Sequence, residues 1–462
     1  MKDEIFRAYD IRGIYPDEIN EQVAYTIGIS YGSYLQEKYN KNTCVVSHDN
    51  RVSSDALTQN LIKGIIASGC NIINYGLTTT PMNYYARYLN NIPGIMVTAS
   101  HNPKEYNGFK FSFDGMINAR GSMIEDFKNY TKAGNFKKGT GRITNNNITD
   151  KYIEYLKHSL KFGKNKRKIV LDPGNGTTSA IIRKIFDNIF CTPIYINEVS
   201  DGNFPNHHPD PAEAQNLVQL QKAVKDTKAD FGIAFDGDGD RIGIVTNTGE
   251  ILPIEYFMMI CIKDMFANVA NKTFLYDVKC SKSLEDFITM LGGSPLCFRT
   301  GASYTQHKVH TDDLPFGGEY SGHIYFRDRD VDCGSAIYAA LRFLEIMSKT
   351  KDKLNKIIKD FPRYYTTPEI KIPSTDTLKF QVVEKIKEYA TFNNYPLNDI
   401  DGARITYTNG WALVRASNTG PNIIFRGEAT TLEGIDALQK VYMPLIESYN
   451  KEESTIENIE NL

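Results

Sequence analysis

Residues 231–241 read FGIAFDGDGDR, and this stretch determines both the expected fold and the expected chemistry. The apolar run FGIAF has the length of a buried β-strand, and the chain then enters a loop in which aspartate alternates with glycine. Glycine allows a backbone tight enough to direct Asp236, Asp238 and Asp240 towards one point. Three carboxylates so close together repel one another unless a cation neutralises them, and oxygen ligands favour a hard cation such as Mg²⁺ or Ca²⁺.

The spacing of the three aspartates allows two other interpretations of this loop. An EF-hand calcium loop does not fit, because the position that requires glycine holds Arg241 and the position of the bidentate glutamate holds Asn247. An acidic turn without any ligand stays open as the alternative, since a motif is only a hypothesis. The sequence therefore predicts a metal site at the three aspartates.

The combination of a short apolar strand and a polar loop recurs along the chain. Three strands are predicted to end in aspartate, and three later strands lead into an unusual loop. The first set is 44–49 (CVVSHD), 169–172 (IVLD) and 274–277 (FLYD), and the second is 95–97 (IMV, before TASHNP), 231–235, and 314–316 (LPF, before GGEYSGH). Strands alternating with helical stretches are typical of α/β architecture. The pattern fits three diverged α/β units that each contribute a loop to a shared site.

The C-terminal part of the chain follows a different pattern. TPEI at 367–370 is predicted to be a connector, and a smaller α+β domain is predicted after it. A length of 462 residues agrees with three or four domains. We place the domains at 1–145, 146–250, 251–365 and 366–462.

Composition and charge exclude several classes of protein. There are 53 Lys and Arg residues against 55 Asp and Glu residues, so a net charge of −2 gives no global attraction to nucleic acid or to an anionic membrane. The apolar stretch 61–67 is interrupted by Lys63 and is too short to span a bilayer. The N-terminus shows no secretory signal, and the seven cysteines form no CxxC motif, so we expect a cytoplasmic protein without a disulfide framework or a zinc ribbon.

Ser100 lies in the loop that follows the strand at 95–97. A serine in a loop is usually structural, and the sequence has no G-x-S-x-G nucleophile elbow. Thr98, His101, Asn102 and Lys110 nevertheless surround it with polar and cationic groups. Such a patch suits a serine that carries a phosphoryl group.

Two later loops also carry polar groups of interest. RASNTGP at 415–421 combines an arginine with hydroxyls, an amide and a flexible backbone, as a phosphate cradle requires. GGEYSGH at 317–323 offers the carboxylate of Glu319 and the hydroxyl of Ser321, which suit vicinal sugar hydroxyls. An ordinary polar turn and a glycine-rich turn stay open as the respective alternatives.

These loops, TASHNP, DGDGDR, GEYSGH and RASNTGP in this order, resemble those of the α-D-phosphohexomutase family across essentially the whole chain. The opening FRAYDIRG at 6–13 is similar to that of the bacterial phosphomannomutase/phosphoglucomutase branch. The resemblance implies three α/β domains with mixed sheets and a smaller C-terminal α+β domain, arranged around a central active-site cleft. It also implies a phosphoserine loop in the first domain, a metal loop in the second, a sugar loop in the third and a phosphate loop in the fourth.

The resemblance further implies a role for individual residues. Ser100 would be the phosphoserine, and Mg²⁺ would bind to its phosphoryl group and to Asp236, Asp238 and Asp240. Glu319 and Ser321 would contact the sugar. The non-reacting phosphate would be held by Arg415, Ser417, Asn418 and Thr419, and the reacting centre would be lined by Tyr9, Arg12, His101, Lys110, Arg241, Lys279 and His323.

The implied reaction moves a phosphoryl group between the 1- and 6-positions of mannose and glucose phosphates. Phosphoserine 100 would give a hexose 1,6-bisphosphate, which turns end for end and returns its other phosphate, so the bisphosphate also serves as an activator. The partners would be small hexose phosphates, without nucleic acid or membrane, and the protein would be a monomer or a weak dimer. Alternatives are a phosphoglucosamine mutase, which typically has Gly where this chain has Asn418, and a non-catalytic hexose-phosphate binder, against which the intact Ser100 and aspartates argue.

Four positions depart from the family pattern. Ala302 follows Thr300-Gly301 where histidine is common, and Arg299 stands where lysine is usual. Gly420 replaces a glutamate of the phosphate loop, and Tyr320 replaces Met or Gln in the sugar loop. We expect His323 or Lys279 to take over the proton handling of the missing histidine, and the sugar preference is less determined by the sequence than the type of reaction.

Overall fold

The computed structural model describes residues 1–329, 333–418 and 420–451. The chain forms two compact units. The first unit contains Met1–Leu275 and Ala302–Asp360, and the second contains Tyr276–Gly301 and the chain from Phe361 onward. None of the helices in these described ranges combines the length and the apolar character that crossing a bilayer requires.

The first sheet has six strands. The elements in chain order are β1 (Asp10–Ile14), α1 (Glu21–Lys38), β2 (Thr43–His48), α2 (Ser54–Ala67), β3 (Asn71–Leu77), α3 (Thr80–Asn90), β4 (Gly94–Val97), β5 (Tyr106–Ser112), α4 (Ser122–Ala133) and β6 (Ile143–Asn145). The strand order is β1-β5-β4-β2-β3-β6, and β5 runs antiparallel to both of its neighbours, so the sheet is mixed. Helix α3 is capped by the Thr79 side chain, which accepts the backbone N–H of Met82.

The second sheet has five strands in the order β11-β10-β9-β7-β8. The elements are α5 (Thr149–His158), β7 (Arg167–Asp172), α6 (Ile182–Phe186), β8 (Cys191–Tyr195), α7 (Val218–Thr227), β9 (Phe231–Phe235), β10 (Ile242–Thr246), β11 (Ile251–Leu252) and α8 (Ile254–Met265). Strand β7 is parallel to β8 and β9, whereas β10 returns antiparallel to β9. The strand predicted at 231–235 is therefore β9, it is fully buried, and the DGDGDR loop connects it to β10.

The third sheet has four strands in the order β13-β12-β14-β15. Its elements are β12 (Thr273–Asp277), α9 (Lys282–Met290), β13 (Ser294–Phe298), α10 (Ala302–Thr311), β14 (Phe316–Gly318), β15 (Ile324–Phe326), α11 (Ala336–Lys349) and α12 (Leu354–Ile357). The division between the two units falls inside β12, after Leu275. Strands β14 and β15 belong to the first unit, whereas α9 and β13 belong to the second.

The strand predicted at 314–316 lies two residues later than expected, at Phe316–Gly318. The prediction placed Gly317 in the loop because glycine usually interrupts strands. Here glycine is required inside the strand, since a Cβ at position 317 would lie 2.4 Å from the side chain of Val309.

The second unit contains a six-stranded antiparallel sheet with two helices. Its elements are β16 (Tyr365–Thr366), β17 (Ile370–Pro373), α13 (Leu378–Phe392), β18 (Leu397–Asn398), β19 (Ala403–Tyr407), β20 (Gly410–Ala416), β21 (Asn422–Ala429) and α14 (Leu432–Tyr449). Apolar residues of both helices and of the central strands form its core. The expected α/β class, with mixed sheets and a smaller α+β domain, is thus confirmed, while the domain limits at 145, 250 and 365 stay a prediction.

Candidate active site

Ser100 directly follows the short polar segment at the end of β4, in the loop that leads to β5. Its backbone has a φ of +51°, in the left-handed region that a serine rarely adopts. The backbone N–H of Ser100 donates to Thr98 Oγ1 at 2.9 Å, and its Oγ donates to Asp236 Oδ2 at 2.7 Å. The strained backbone therefore holds the buried hydroxyl against the aspartate loop. Strain of this kind is characteristic of functional sites.

Asp236, Asp238 and Asp240 come together as the sequence predicts. All three are buried, and one ligand atom from each lies within 4.8 Å of the others. Asp236 Oδ1 accepts three backbone N–H groups, those of Gly239, Asp240 and Arg241, at 3.0 to 3.1 Å. The loop thus organises its own carboxylates. Glycine is needed at position 237, because a Cβ there would lie 2.6 Å from the carbonyl oxygen of Ser100.

The donor set fits a hard cation. Within the part of the chain that the structure describes, Asp238 Oδ1 is buried and has no hydrogen-bond partner. Burial, together with the charges of Asp240 and Asp238, raises the pKa of Asp236 well above its ordinary value. A cation at this position would relieve both the repulsion and the missing contact. The three aspartates are therefore able to hold a metal ion with oxygen ligands.

Lys110, on β5, neutralises part of this charge. Its Nζ donates to Asp238 Oδ2 at 2.9 Å and to Asp240 Oδ2 at 2.7 Å. Burial opposes the charged form, but Asp238 and Asp240 outweigh it and raise the pKa of Lys110 well above its ordinary value. The hydroxyls of Thr80 and Thr98 also donate to Asp238 Oδ2, at 2.6 and 3.1 Å. The ammonium group is thus held charged beside Ser100 and the aspartates.

His323 connects the metal loop to the sugar loop. Its Nε2 lies 3.1 Å from Asp240 Oδ1 and its Nδ1 lies 2.8 Å from Glu319 Oε2. Burial lowers the pKa of His323, but Asp240 prevails and raises it to about 9, so the ring is an imidazolium that donates to both carboxylates. Glu319 Oε1 accepts the hydroxyl of Thr305 at 2.7 Å, and Ser321 Oγ lies 3.4 Å from Glu319 Oε2. The predicted sugar-binding residues therefore lie in one hydrogen-bonded group.

Two arginines, Arg12 and Arg241, add positive charge to this group of residues. Arg12 donates to Asp10 Oδ2 at 2.6 Å and to Asn102 Oδ1 at 2.7 Å. Arg241 Nη1 lies 3.9 Å from Asp210 Oδ1. These ion pairs position guanidinium groups near the Ser100 loop.

His101 and Tyr9 are neutral in this environment. Burial, with the nearby charges of Arg241 and Arg12, lowers the pKa of His101 well below its ordinary value. Its Nδ1 lies 3.4 Å from Ser100 Oγ. Burial raises the pKa of Tyr9 to about 12, so the phenol keeps its proton. The first unit thus contains every predicted site residue of the first three predicted domains except Lys279.

The remaining predicted residues lie in the second unit. Lys279 Nζ donates to Glu369 Oε2 at 2.9 Å, and Arg415 Nε donates to Asp401 Oδ2 at 3.0 Å. The phosphate loop joins β20 to β21. Asn418 Nδ2 in this loop donates to the carbonyl of Thr300 at 3.2 Å. Thr419, also predicted to hold phosphate, lies outside the described residues.

Sequence reasoning missed several side chains that support these loops. Lys379 is buried, and its Nζ donates to the carbonyls of Ser417 and Gly420 at 3.0 Å each. The carboxylates Glu369 and Asp401 hold Lys279 and Arg415, and Arg51 contacts the Ser100 loop. The only sequence feature near Arg51 that we singled out is the predicted strand that ends at Asp49. Lys379 and Asp401 belong to none of the motifs described above, and Glu369 lies in the predicted connector.

Comparisons with known proteins agree with this geometry. Sequence models of the phosphoglucomutase/phosphomannomutase alpha/beta/alpha domains I, II and III match residues 3–138, 150–249 and 254–365, and that of the C-terminal domain matches 369–442. A phosphomannomutase/phosphoglucomutase of Pseudomonas syringae pv. tomato is 39% identical over 443 residues, covering 96% of this chain and 95% of its own. A phosphoglucomutase of Neisseria gonorrhoeae is 33% identical, with coverages of 96% and 97%. The crystal structure of a phosphoglucomutase/phosphomannomutase family protein from Burkholderia thailandensis superposes with a TM-score of 0.88 at 31% identity, covering 97% of this chain and 98% of the other.

Proposed function

Since the chain belongs to the phosphoglucomutase/phosphomannomutase family, we propose that it moves a phosphoryl group reversibly between the 1- and 6-positions of mannose and glucose phosphates. The protein is a phosphohexomutase, an enzyme class that acts on small hexose phosphates. We assign the transferred group to Ser100 and the intermediate to a hexose 1,6-bisphosphate. The observation that carries the proposal is Ser100 itself, held in a left-handed conformation with Oγ 2.7 Å from Asp236.

In the first transfer, a free hydroxyl of the hexose phosphate attacks the phosphorus on Ser100. A bond forms between the sugar oxygen and phosphorus, and the bond between phosphorus and Ser100 Oγ breaks. The attacking hydroxyl gives up its proton and Ser100 Oγ takes one up. We assign the relay of this proton to neutral His101, whose Nδ1 lies 3.4 Å from Ser100 Oγ; the reverse relay operates when Ser100 is rephosphorylated. The bisphosphate then reorients and returns its other phosphoryl group to Ser100.

Positive charge around Ser100 supports this transfer. Phosphoryl transfer is catalysed mainly by positioning and by offsetting charge on the transferred group. Lys110, Arg12, Arg241 and His323 provide that charge from the protein. Bound at Asp236, Asp238, Asp240 and the phosphorylated Ser100, Mg²⁺ would offset the charge further. Because His323 and Lys279 are held charged by carboxylates, we assign them to charge compensation rather than to proton removal.

The substrate is held by two further groups of residues. Glu319, oriented by His323 and Thr305, and Ser321 are proposed to bind vicinal sugar hydroxyls. The second group is proposed to bind the phosphate that does not react, and it consists of Arg415, Ser417, Asn418 and Thr419. Tyr9 is proposed to line the substrate site. One loop must accept both orientations of the bisphosphate, which a flexible polar loop does better than a rigid pocket.

The remaining proposals concern activator, partners and location. A trace of hexose 1,6-bisphosphate is proposed to activate the enzyme by phosphorylating Ser100. We propose a cytoplasmic monomer or weak dimer that binds neither nucleic acid nor membrane. Size-exclusion chromatography with light scattering tests the oligomeric state.

A side-by-side assay tests the proposed reaction. Mannose 1-phosphate, glucose 1-phosphate and glucosamine 1-phosphate are each supplied with Mg²⁺ and a trace of glucose 1,6-bisphosphate. We expect turnover of the first two, loss of activity in Ser100→Ala, and unchanged activity in Ser122→Ala, an exposed serine of the same domain. Turnover of the amino sugar alone would instead identify a phosphoglucosamine mutase. Activity that survives in Ser100→Ala would refute the phosphoserine assignment.

A further inference from the structure

The guanidinium group of Arg51 donates hydrogen bonds to several main-chain carbonyls of the loop that contains Ser100. Its side chain has an exposed fraction of 0%, and both terminal nitrogens are used. Nη2 donates to the carbonyls of Ser100 at 2.8 Å and Asn102 at 2.6 Å. Nη1 donates to the carbonyls of Pro103 at 2.6 Å and Tyr106 at 3.0 Å. Four carbonyls of one short loop therefore converge on one side chain, which matches the planar fork of arginine.

Arg51 is itself fixed from two directions. Asp49 Oδ2 lies 3.3 Å from its Nε, and Asp49 Oδ1 accepts the backbone N–H of Arg51 at 3.0 Å. The ring of Phe204 covers the guanidinium at 5.4 Å. Phe204 belongs to the second domain and has a φ of +48°, so this contact is also held in a rarely adopted conformation. The guanidinium is consequently a rigid anchor rather than a mobile surface group.

The position of this anchor matters because the Ser100 backbone is strained. A serine at a φ of +51° returns to a commoner conformation unless its surroundings prevent it. Arg51 holds the carbonyl of Ser100 itself and those of the residues that follow. Release of these carbonyls would let Ser100 Oγ move away from Asp236, which it contacts at 2.7 Å.

We propose that Arg51 is a positioning residue for phosphoryl transfer: by binding four carbonyls of the 100–106 loop, it keeps Ser100 in the left-handed conformation that directs Oγ at the aspartate cluster. The inference rests on the proposed function, because it takes Ser100 as the group that carries the phosphoryl. Arg51 contacts the carbonyl of Ser100 and not its hydroxyl. It acts through the main chain.

Arg51→Lys tests the proposal, with Arg342→Lys as the matched control. Lysine keeps the charge but lacks the fork, so it cannot reach four carbonyls at once. Arg342 has the same exposed fraction of 0% and pairs with Asp328 at 2.7 and 2.8 Å, away from the predicted site. For Arg51→Lys we expect kcat on glucose 1-phosphate to fall about 100-fold, as for a small misplacement of a reacting group, with KM within about threefold. For Arg342→Lys we expect a lower Tm with kcat retained.

Hydrogen exchange separates this inference from the proposed function. Peptides spanning residues 98–108 should exchange about tenfold faster in Arg51→Lys than in the wild type or Arg342→Lys, because the loop opens locally. Equal exchange in the two variants, or an unchanged kcat in Arg51→Lys, would overturn the role of Arg51. A wild-type protein that lacks mutase activity, while the exchange difference persists, would overturn the proposed function alone.

A second variant covers the case in which Arg51→Lys does not fold. Phe204→Leu removes the aromatic face over the guanidinium but leaves its hydrogen bonds in place. We expect kcat to fall about threefold, since a cation–π contact of this kind is a modest contribution, and KM to stay unchanged. An unchanged kcat together with unchanged exchange at 98–108 would overturn the proposal.

Discussion

Replacing Glu369 with glutamine removes the carboxylate that holds Lys279 in the second unit. The two side chains meet at 2.9 Å between Lys279 Nζ and Glu369 Oε2, and the lysine is buried. Glutamine has nearly the same shape, so packing is preserved while the charge is lost. The variant therefore measures what it costs to keep the Lys279 ammonium charged without its carboxylate partner Glu369.

The magnitude follows from the acidity of Glu369. Burial raises its pKa, but Lys279 outweighs burial and lowers the pKa from 4.5 to about 2. At about 1.36 kcal/mol per pH unit, this difference corresponds to about 3 kcal/mol of folding free energy at pH 7. Since 21% of the Glu369 side chain is exposed, solvent screening reduces the contribution, and we expect Glu369→Gln to lower the free energy of unfolding by about 2 kcal/mol.

The sign of the pH dependence distinguishes this ion pair from simple packing. A folded-state pKa below the unfolded value gives stability that is complete above about pH 5.5 and is lost as the pH falls towards 2. At about pH 3.5 the unfolded carboxyl is mostly protonated and the folded one is still ionised. The difference between the wild type and Glu369→Gln should therefore shrink by about 1 kcal/mol between pH 7 and pH 3.5.

Urea unfolding followed by tryptophan fluorescence makes this measurement. Trp411 is the single tryptophan of the chain, is 2% exposed and lies in the second unit, so its emission reports unfolding there. Glu384→Gln is the control, because its pair with Lys387 is exposed and should contribute less than about 1 kcal/mol. A loss in Glu369→Gln no larger than in this control, or a difference independent of pH, would refute the reasoning.

Three further predictions concern the proposed active site. Asp238→Asn should lower kcat by on the order of 10²-fold and shrink the rise in Tm that Mg²⁺ causes, while the circular dichroism spectrum is retained; an unchanged Mg²⁺ response would contradict the metal assignment. Arg415→Ala should raise KM about tenfold or more with kcat nearly unchanged, and a fall in kcat alone would contradict the phosphate role. Lys379→Met should also raise KM several-fold, about as expected for lost charged hydrogen bonds to the loop carbonyls, whereas Lys385→Met on the same helix should not.

The aspartate cluster could be predicted because the residues that form it are neighbours in the sequence. Three carboxylates and two glycines within six residues already define a loop, and the structure adds the three backbone N–H groups that donate to Asp236. The strand before the loop was equally clear from its apolar run. Periodicity and loop chemistry are short-range properties, and these parts of the fold depend on them.

Arg51 could not be predicted in the same way. The carbonyls that it binds are 49 to 55 residues away in the sequence. Every residue has a main-chain carbonyl, so the sequence does not show which carbonyls a side chain will bind. The left-handed backbone of Ser100 is likewise invisible, since serine does not favour it. Both features depend on the packing of separate segments, so only the folded structure shows them.

The pairing of charges also explains why a net charge of −2 is compatible with local clusters of cationic side chains. Lys110 is bound by two aspartates, and Lys279 and Arg415 are each bound by one carboxylate. Each cation is thus cancelled in the net charge although it stays charged at its own position. Such pairing keeps a cation charged where burial would otherwise lower its pKa, and it fixes the direction in which the cation points. The carboxylates therefore offset the cost of burying these cations, and this arrangement depends on which residues are neighbours rather than on how many of each there are.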